Sequence, residues 1–174
     1  PLFLAPMAGF SDLPFRAVVK KFGADFTISE MISANALVFE SKKSLKMREK
    51  HESESPFIVQ IAGSDESVIK KAVLLLNELE FIDGIDFNCG CPMPKVVRQN
   101  AGAALLENLE LLKRLVSAIK THSTKKSVSV KFRLGFKDKK AELIARACEE
   151  AGADFVAIHG RTAKQLYSGK ADYE

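Results

Sequence analysis

Apolar runs alternate along the chain with segments of helical periodicity, and this alternation predicts the fold. The predicted strands, each a short run dominated by apolar residues, are residues 2–5, 25–30, 56–62, 85–88, 127–133 and 155–159. The run at 56–62 is apolar almost throughout, which is typical of a parallel strand buried on both faces. Between the strands, apolar residues recur at helical spacing, so we predict a parallel sheet with helices outside it.

Candidate caps and apolar spacing locate the helices. Ser11 or Asp12 can cap the first helix, which ends at Gly23. Ser64 or Asp65 can cap the helix that follows the third strand. The other predicted helices are residues 34–49 with a break, 109–119 and 139–151.

Two α/β architectures fit this alternation, an open doubly wound sheet and a (β/α)8 TIM barrel. A nucleotide-binding open sheet normally has a glycine-rich turn after its first strand, and residues 6–9 do not form one. Chemically reactive or polar side chains instead follow nearly every strand, namely Met7, Glu30, Gln60, Cys91, Lys131, Arg133, His159 and Arg161. Because functional groups at the carboxyl ends of all strands are typical of a TIM barrel, we predict that fold. A whole barrel has about 250 residues, so this chain holds about six of the eight strands.

Composition narrows the class of protein. The 174 residues are 47% hydrophobic and 28% charged, which is typical of one globular domain. No apolar run approaches the roughly 20 residues of a membrane-spanning helix. Three cysteines, an odd count, favour a reducing cytoplasm over a disulfide framework. A net charge of +4 and a pI near 9.0 fit a polyanionic partner without requiring one. Pro1 and the lack of a basic leader lead us to expect a piece of a longer protein that is not secreted.

The loop after the fourth strand contains the most unusual chemistry. Residues 85–88 alternate with the period of a strand, and the pattern then breaks at Cys89-Gly90-Cys91-Pro92. The break places the Cys91 thiol just past the end of a strand. There it can act as a nucleophile, a metal ligand or an acid, or it can simply pack against its neighbours. A closed zinc site needs four nitrogen or sulfur ligands, and the third cysteine, Cys148, lies in a predicted helix. We therefore predict no metal site.

Five motifs occur in order along the chain. They are APMAG at 5–9, NCGCP at 88–92 followed by PKV at 94–96, GAALL at 102–106, VKFRLG at 130–135 and HGRT at 159–162. Together they resemble the signatures of the tRNA-dihydrouridine synthases, which are FMN-dependent TIM-barrel enzymes. The resemblance covers essentially the whole chain and implies that residues 1–174 are an incomplete catalytic barrel. The later strands, whose loops in that family hold the FMN phosphate, and the helical tRNA-binding domain of that family are not in this sequence.

The resemblance implies a reaction in two stages. NADPH reduces the bound FMN, and then a tRNA uridine receives a hydride from flavin N5 at C6 and a proton at C5. Cys91 matches the proton donor of the family. A thiol suits this role because its ordinary pKa of about 8.5 keeps it mostly protonated at neutral pH yet able to release the proton.

The resemblance also implies which residues contact the cofactor and the substrate. Implied cofactor contacts are Pro6, Met7 and Ala8 against the isoalloxazine, Gln60 at its pyrimidine edge, Lys131 beside its anionic N1–C2 edge, and His159. Candidate substrate contacts are Asn88 at the uracil edge and, at the barrel mouth, Lys95, Arg98, Arg133 and Arg161. Cationic groups are expected there because a uridine must be turned out of folded tRNA to react. From the residues alone, ordinary core or surface roles fit Met7, Lys131 and His159, and a turn-stabilising role fits Asn88.

Two other functions remain open. One is an FMN barrel acting on a free pyrimidine, similar to dihydroorotate dehydrogenase, and the other is a tRNA-binding module without catalysis. The partial barrel also predicts two unpaired strand edges. We expect such a chain alone to be poorly stable, to associate through those edges, or to bind the FMN phosphate incompletely.

Overall fold

The computed structural model describes residues 1–173. The strands are Phe3–Leu4 (β1), Phe26–Ile28 (β2), Ile32–Ser33 (β3), Phe57–Ala62 (β4), Gly84–Cys89 (β5), Ser127–Arg133 (β6) and Phe155–His159 (β7). The α-helices are Leu13–Lys21 (α1), Ala34–Val38 (α2), Lys42–Met47 (α3), Glu66–Asn77 (α4), Pro94–Val97 (α5), Leu109–His122 (α6) and Ala141–Glu150 (α7). A 3-10 helix spans Gly102–Glu107. No helix within residues 1–173 is long and apolar enough to cross a membrane.

The strands form one parallel sheet in the order β1-β2-β4-β5-β6-β7. The short β3 pairs with the end of β4, beyond the point where β2 stops pairing with it, so the path around the sheet has six strands. The sheet curls into a half-barrel with alternating helices, which confirms the predicted partial TIM barrel. Within the described residues, β1 and β7 are the two edges of the sheet. Association through those edges stays a prediction.

The two faces of the sheet have different neighbours. Alternate residues of each central strand, such as Phe57, Val59 and Ile61 of β4, pack in the hydrophobic core with the helices. The residues between them therefore face the inside of the curve. At the amino-terminal end of the strands, aromatic rings of β1, β2 and β7 contact one another in this inner space. Phe3 stacks on Phe26 at 4.7 Å between ring centroids and lies 5.8 Å from Phe155.

The helix caps follow the predicted chemistry. Asp12 accepts a hydrogen bond from the Phe15 N–H at 3.1 Å, and Asp65 accepts from the N–H groups of Ser67 and Val68. Of each predicted pair of candidates, the aspartate is therefore the cap. Helix α7 begins at Ala141, two residues later than predicted, because the Lys140 N–H bonds back to the Leu134 carbonyl and closes a loop there.

Candidate active site

A row of three polar side chains lies on the inner face of β4, β5 and β6. Gln60, Asp86 and Ser129 are register partners, and each is about 1% exposed. Gln60 Nε2 donates to Asp86 Oδ2 at 2.6 Å, and Ser129 Oγ donates to Asp86 Oδ1 at 2.6 Å. Burial raises the pKa of the Asp86 carboxyl, although these hydrogen bonds and the Lys131 charge act in the opposite direction. Each carboxyl oxygen of Asp86 thus accepts a hydrogen bond in a site that solvent does not reach.

Asn88 connects this row to the cysteine loop. Its Nδ2 donates to Gln60 Oε1 at 2.9 Å. Its Oδ1 accepts from the N–H groups of Gly90 at 3.1 Å and Cys91 at 2.9 Å. The amide oxygen therefore stabilises the turn, as one interpretation of the sequence predicted. The amide nitrogen keeps one N–H for another partner, so the predicted contact of Asn88 with uracil stays open.

The three cysteines, all free thiols, have different environments. Cys91 is half-buried, whereas Cys89 and Cys148 are fully buried in the hydrophobic core. Burial raises the pKa of the Cys89 thiol well above its ordinary value, and burial raises that of Cys148 to about 12. Cys89 and Cys148 are therefore packing residues of the core. Of the three thiols, only Cys91 is accessible from the carboxyl ends of the strands.

The 3-10 helix holds the cysteine loop from the other side. The Ala103 N–H donates to the Cys91 carbonyl at 2.9 Å. Gly102 has a φ of +59°, and a Cβ at this position would lie 2.7 Å from the Cys91 carbonyl oxygen. Only glycine fits such a close approach in this backbone conformation. The 3-10 helix is thus packed tightly against the cysteine loop, and the backbone of Cys91 is fixed on both sides.

The structure places Arg133 differently from the prediction of a substrate contact at the mouth. The side chain is 3% exposed, with its Nε donating to the Gly90 carbonyl at 3.0 Å. Its Nη1 donates to the carbonyls of Thr162 at 3.1 Å and Leu166 at 2.7 Å, and the Tyr167 ring lies 5.4 Å away. Through Nε and Nη1, the guanidinium thus connects the cysteine loop to the segment after β7. A strand-end arginine looks the same in sequence whether it points inward or outward.

His159, the last residue of β7, pairs with Arg161 just beyond the strand. Arg161 donates to the carbonyls of Ser168 at 3.2 Å and Gly169 at 2.9 Å, and its Nη1 lies 3.3 Å from His159 Nε2. Because a guanidinium only donates, His159 Nε2 must accept and the ring proton must reside on Nδ1. Burial lowers the pKa of His159 to about 4, and the charges of Arg133, Lys131 and Arg161 add to this effect. His159 is therefore a neutral hydrogen-bond donor through Nδ1.

Lys131 lies on the inner face beside Asn88, its register partner on β5. Within residues 1–173 its ammonium has neither a hydrogen-bond nor an ion-pair partner. Burial lowers its pKa, opposed by the nearby Asp86 carboxyl. A half-buried cation without a protein partner is suited to binding an anionic ligand.

The remaining predicted site residues lie in the loop after β1 and on or next to the short helix α5. Met7 is 43% exposed, with Pro6 half-buried and Ala8 exposed beside it. Their loop is held by Ser11, whose hydroxyl bonds the Met7 backbone, and by Glu30, which accepts from the Gly9 N–H at 2.5 Å. Two exposed cations follow the cysteine loop on and after α5, namely Lys95 and Arg98.

The structure brings five of the twelve predicted site residues together at the carboxyl ends of neighbouring strands. These residues are Gln60, Asn88, Cys91, Lys131 and His159. Sequence reasoning assigned no role to Asp86 or Ser129, although each is a polar residue at an inward position of an alternating strand. In the part of the chain that the structure describes, no group of three or more His, Cys, Asp or Glu side chains could hold a metal ion.

We expect His159 to stay neutral at pH 5. An unfolded chain takes up the imidazole proton near pH 6.5 but the folded one only near pH 4, so this group lowers stability as the pH falls through that interval. NMR titration of the imidazole in the protein without added ligand measures the midpoint. Arg161→Gln should raise it, because one depressing charge is removed, whereas Lys164→Gln should not. A midpoint near 6.5 in the unsubstituted protein would contradict this.

Comparison with known proteins agrees with this geometry. The family described as dihydrouridine synthase matches residues 3–174. A probable tRNA-dihydrouridine synthase of Helicobacter pylori (strain ATCC 700392 / 26695) is 52% identical over 174 residues, covering 99% of this chain and 53% of the relative. The tRNA-dihydrouridine synthase B of Pasteurella multocida is 40% identical over 176 residues, covering 99% of this chain and 52% of the relative. The chain therefore spans about half the length of the curated relatives it matches.

Proposed function

Because the chain belongs to the dihydrouridine synthase family, we propose that the protein reduces specific uridines of tRNA to 5,6-dihydrouridine, with FMN as cofactor and NADPH as reductant. The observation that supports this best is the accessible Cys91 thiol, whose backbone is fixed by Asn88 on one side and by Ala103 on the other. The proposed tRNA substrate and the three free thiols both favour action in the reducing cytoplasm.

The inner face of the half-barrel offers groups that suit a flavin. Lys131 supplies a cation without a protein partner, which would stabilise the negative charge of reduced isoalloxazine at its N1–C2 edge. Gln60 retains one N–H and one lone pair for the pyrimidine edge, and His159 offers Nδ1–H as a donor. The exposed segment of Pro6, Met7 and Ala8 would pack against the ring. When bound and reduced by NADPH, FMN would supply the hydride that uracil C6 accepts.

The chain's own residues would then supply the proton and the orientation. Cys91 would deliver its proton to uracil C5, where negative charge develops as the hydride arrives at C6. The remaining N–H of Asn88 would bond the uracil edge and hold the ring in register with the thiol. A proton donor fixed by its backbone needs little reorganisation during the reaction.

The RNA would be bound by cations around the cysteine loop. Lys95 and Arg98 are exposed and have no ion-pair partner within the described residues, so we propose them as phosphate contacts. Arg161 borders the same mouth, but two of its N–H groups already donate to backbone carbonyls. It would therefore attract the RNA mainly through its positive charge. Arg133 would act indirectly, by holding the Gly90 carbonyl next to Cys91.

The test uses the full-length protein with NADPH and unmodified tRNA, followed by mass spectrometry of the digested nucleosides. We expect a yellow protein that forms dihydrouridine in tRNA and leaves free uracil and orotate unchanged. Activity on a free pyrimidine alone would establish the dihydroorotate dehydrogenase-like alternative instead. A colourless protein that binds tRNA without changing it would indicate an RNA-binding module.

A further inference from the structure

A single line of hydrogen bonds runs from the cysteine loop to a buried carboxylate. The Cys91 N–H donates to Asn88 Oδ1, Asn88 Nδ2 donates to Gln60 Oε1, and Gln60 Nε2 donates to Asp86 Oδ2. The donors therefore all point in one direction, from the loop at the carboxyl ends of the strands to the interior of the half-barrel. The proposed chemistry uses Asn88 and Gln60 but gives no role to Asp86.

The groups at the two ends of this line of hydrogen bonds, the Asp86 carboxyl and the backbone N–H groups of the cysteine loop, determine its direction. An amide side chain has a donor end and an acceptor end, and either end can face a given neighbour. A reversed Gln60 would place Oε1 against Asp86 Oδ2, which are two acceptors, and Nε2 against Asn88 Nδ2, which are two donors. At the loop, the backbone N–H groups can only donate, so Asn88 must present its oxygen to them.

This direction does not depend on the protonation of Asp86. Ser129 Oγ lies 2.6 Å from Asp86 Oδ1, so a proton on Oδ1 would be donated to the serine hydroxyl. Oδ2 would still be an acceptor for Gln60. The carboxyl group thus orients the amide in either state, although burial raises its pKa.

A packing role alone would not favour an acidic side chain here. Asp86 is about 1% exposed, and removal of a carboxyl group from water is costly unless its partners compensate. Its neighbours in sequence, Ile85 and Phe87, pack in the apolar core on the other face of the same strand. A polar group on the inner face is useful only where other polar groups must be oriented, which is the case for Gln60 and Asn88.

We propose that Asp86 is a positioning residue, which orients the amides of Gln60 and Asn88 and through them holds the Cys91 loop in its reactive conformation. The effect on the loop rests on the hydrogen bonds alone. The consequence for uridine reduction rests on the proposed function. Asp86 itself touches neither the thiol nor the proposed substrate.

Alkylation of Cys91 reports the state of the loop directly. Cys89 and Cys148 are fully buried, so among the described residues Cys91 is the thiol that a small reagent reaches without unfolding. The rate of modification by iodoacetamide, followed by peptide mass spectrometry in the full-length protein, therefore measures release of this loop. Continued protection of Cys89 and Cys148 in the same sample shows that the core is intact.

The decisive variant is Asp86→Ala, which removes the acceptor for Gln60. We expect the alkylation rate of Cys91 to rise about fivefold, because the loop loses the support of two oriented amides. Asp86→Asn retains an oxygen for Gln60, and Ser129→Ala leaves the Gln60 contact in place, so both should stay within about twofold of the unsubstituted protein. For tRNA reduction by Asp86→Ala, kcat should fall about tenfold with KM almost unchanged.

An unchanged Cys91 rate in Asp86→Ala, with the core cysteines still protected, would overturn the proposal. If that variant exposes all three cysteines, Gln60→Met decides instead, because it breaks the same line while leaving Asp86 bonded to Ser129. It should accelerate Cys91 alkylation to a similar extent, and a normal rate would again overturn the proposal. Should the protein form no dihydrouridine at all, the proposed function fails, while the alkylation results still test the role of Asp86.

Discussion

Cys91→Ala is expected to slow the reduction of tRNA uridine by about a thousandfold, the range that loss of a general acid produces. The hydride would arrive at C6 without a proton source for C5, and the alanine methyl group cannot provide one. Reduction of the flavin by NADPH should continue at its normal rate, because in the proposed mechanism Cys91 donates its proton only in the second stage. Rapid-mixing experiments separate the two stages, with flavin absorbance for the first and dihydrouridine formation in a single turnover for the second.

Cys89→Ala is the matched control. Its thiol is two residues away but is fully buried in the core on the other face of β5. Removing this sulfur should cost stability of about 1 kcal/mol and change the turnover only slightly. If Cys91→Ala retained the normal rate of uridine reduction, the proton would have to come from elsewhere and Cys91 would not be the acid.

The sequence predicted the bounds of two strands without error. Strands β6 and β7 have the predicted bounds of 127–133 and 155–159, because each is a run rich in β-branched and aromatic residues over its whole length. The ends of other elements were less well predicted. Strand β5 is longer by one residue at each end, since Gly84 and Cys89 continue the pairing with β6. Helix α6 extends to His122, through a polar last turn that apolar spacing does not mark.

The candidate site was predicted in its location but not in its internal contacts. The positions of Gln60, Cys91, Lys131 and His159 follow from the rule that functional groups lie at the carboxyl ends of barrel strands. The bonds from Asp86 to Gln60 and Ser129 join residues 26 and 43 positions apart, and local sequence does not specify such partners.

The backbone contacts of Arg133 could not be predicted for a related reason. Its acceptors, the carbonyls of Gly90, Thr162 and Leu166, are backbone groups of two separate loops. No side-chain pattern in the sequence reveals where backbone carbonyls gather. From sequence alone, a cationic residue at a strand end is therefore predicted to contact a ligand, even where the fold surrounds it with backbone carbonyls.

Arg16→Met is expected to lower the free energy of unfolding by about 3–5 kcal/mol, although Arg16 belongs to no motif. The side chain is buried on α1 and donates to Glu54 Oε1 at 2.7 Å. It also donates to the carbonyls of Ser11 at 3.0 Å and Glu49 at 2.7 Å, and it lies 4.9 Å from the centre of the Phe57 ring. Without the guanidinium, the fully buried carboxylate of Glu54 loses its counter-ion. Denaturant unfolding of the full-length protein measures the loss.

Arg146→Met provides the comparison, because Arg146 pairs with Glu142 at 2.8 Å on the exposed face of α7. That pair should contribute no more than about 0.5 kcal/mol. In the double variant Arg16→Met/Glu54→Gln, the remaining group is neutral and still accepts the His51 N–H, so much of the stability should return. Recovery would assign the loss to an uncompensated buried charge, whereas equal instability of single and double variants would assign it to the three contacts that Arg16 makes besides Glu54.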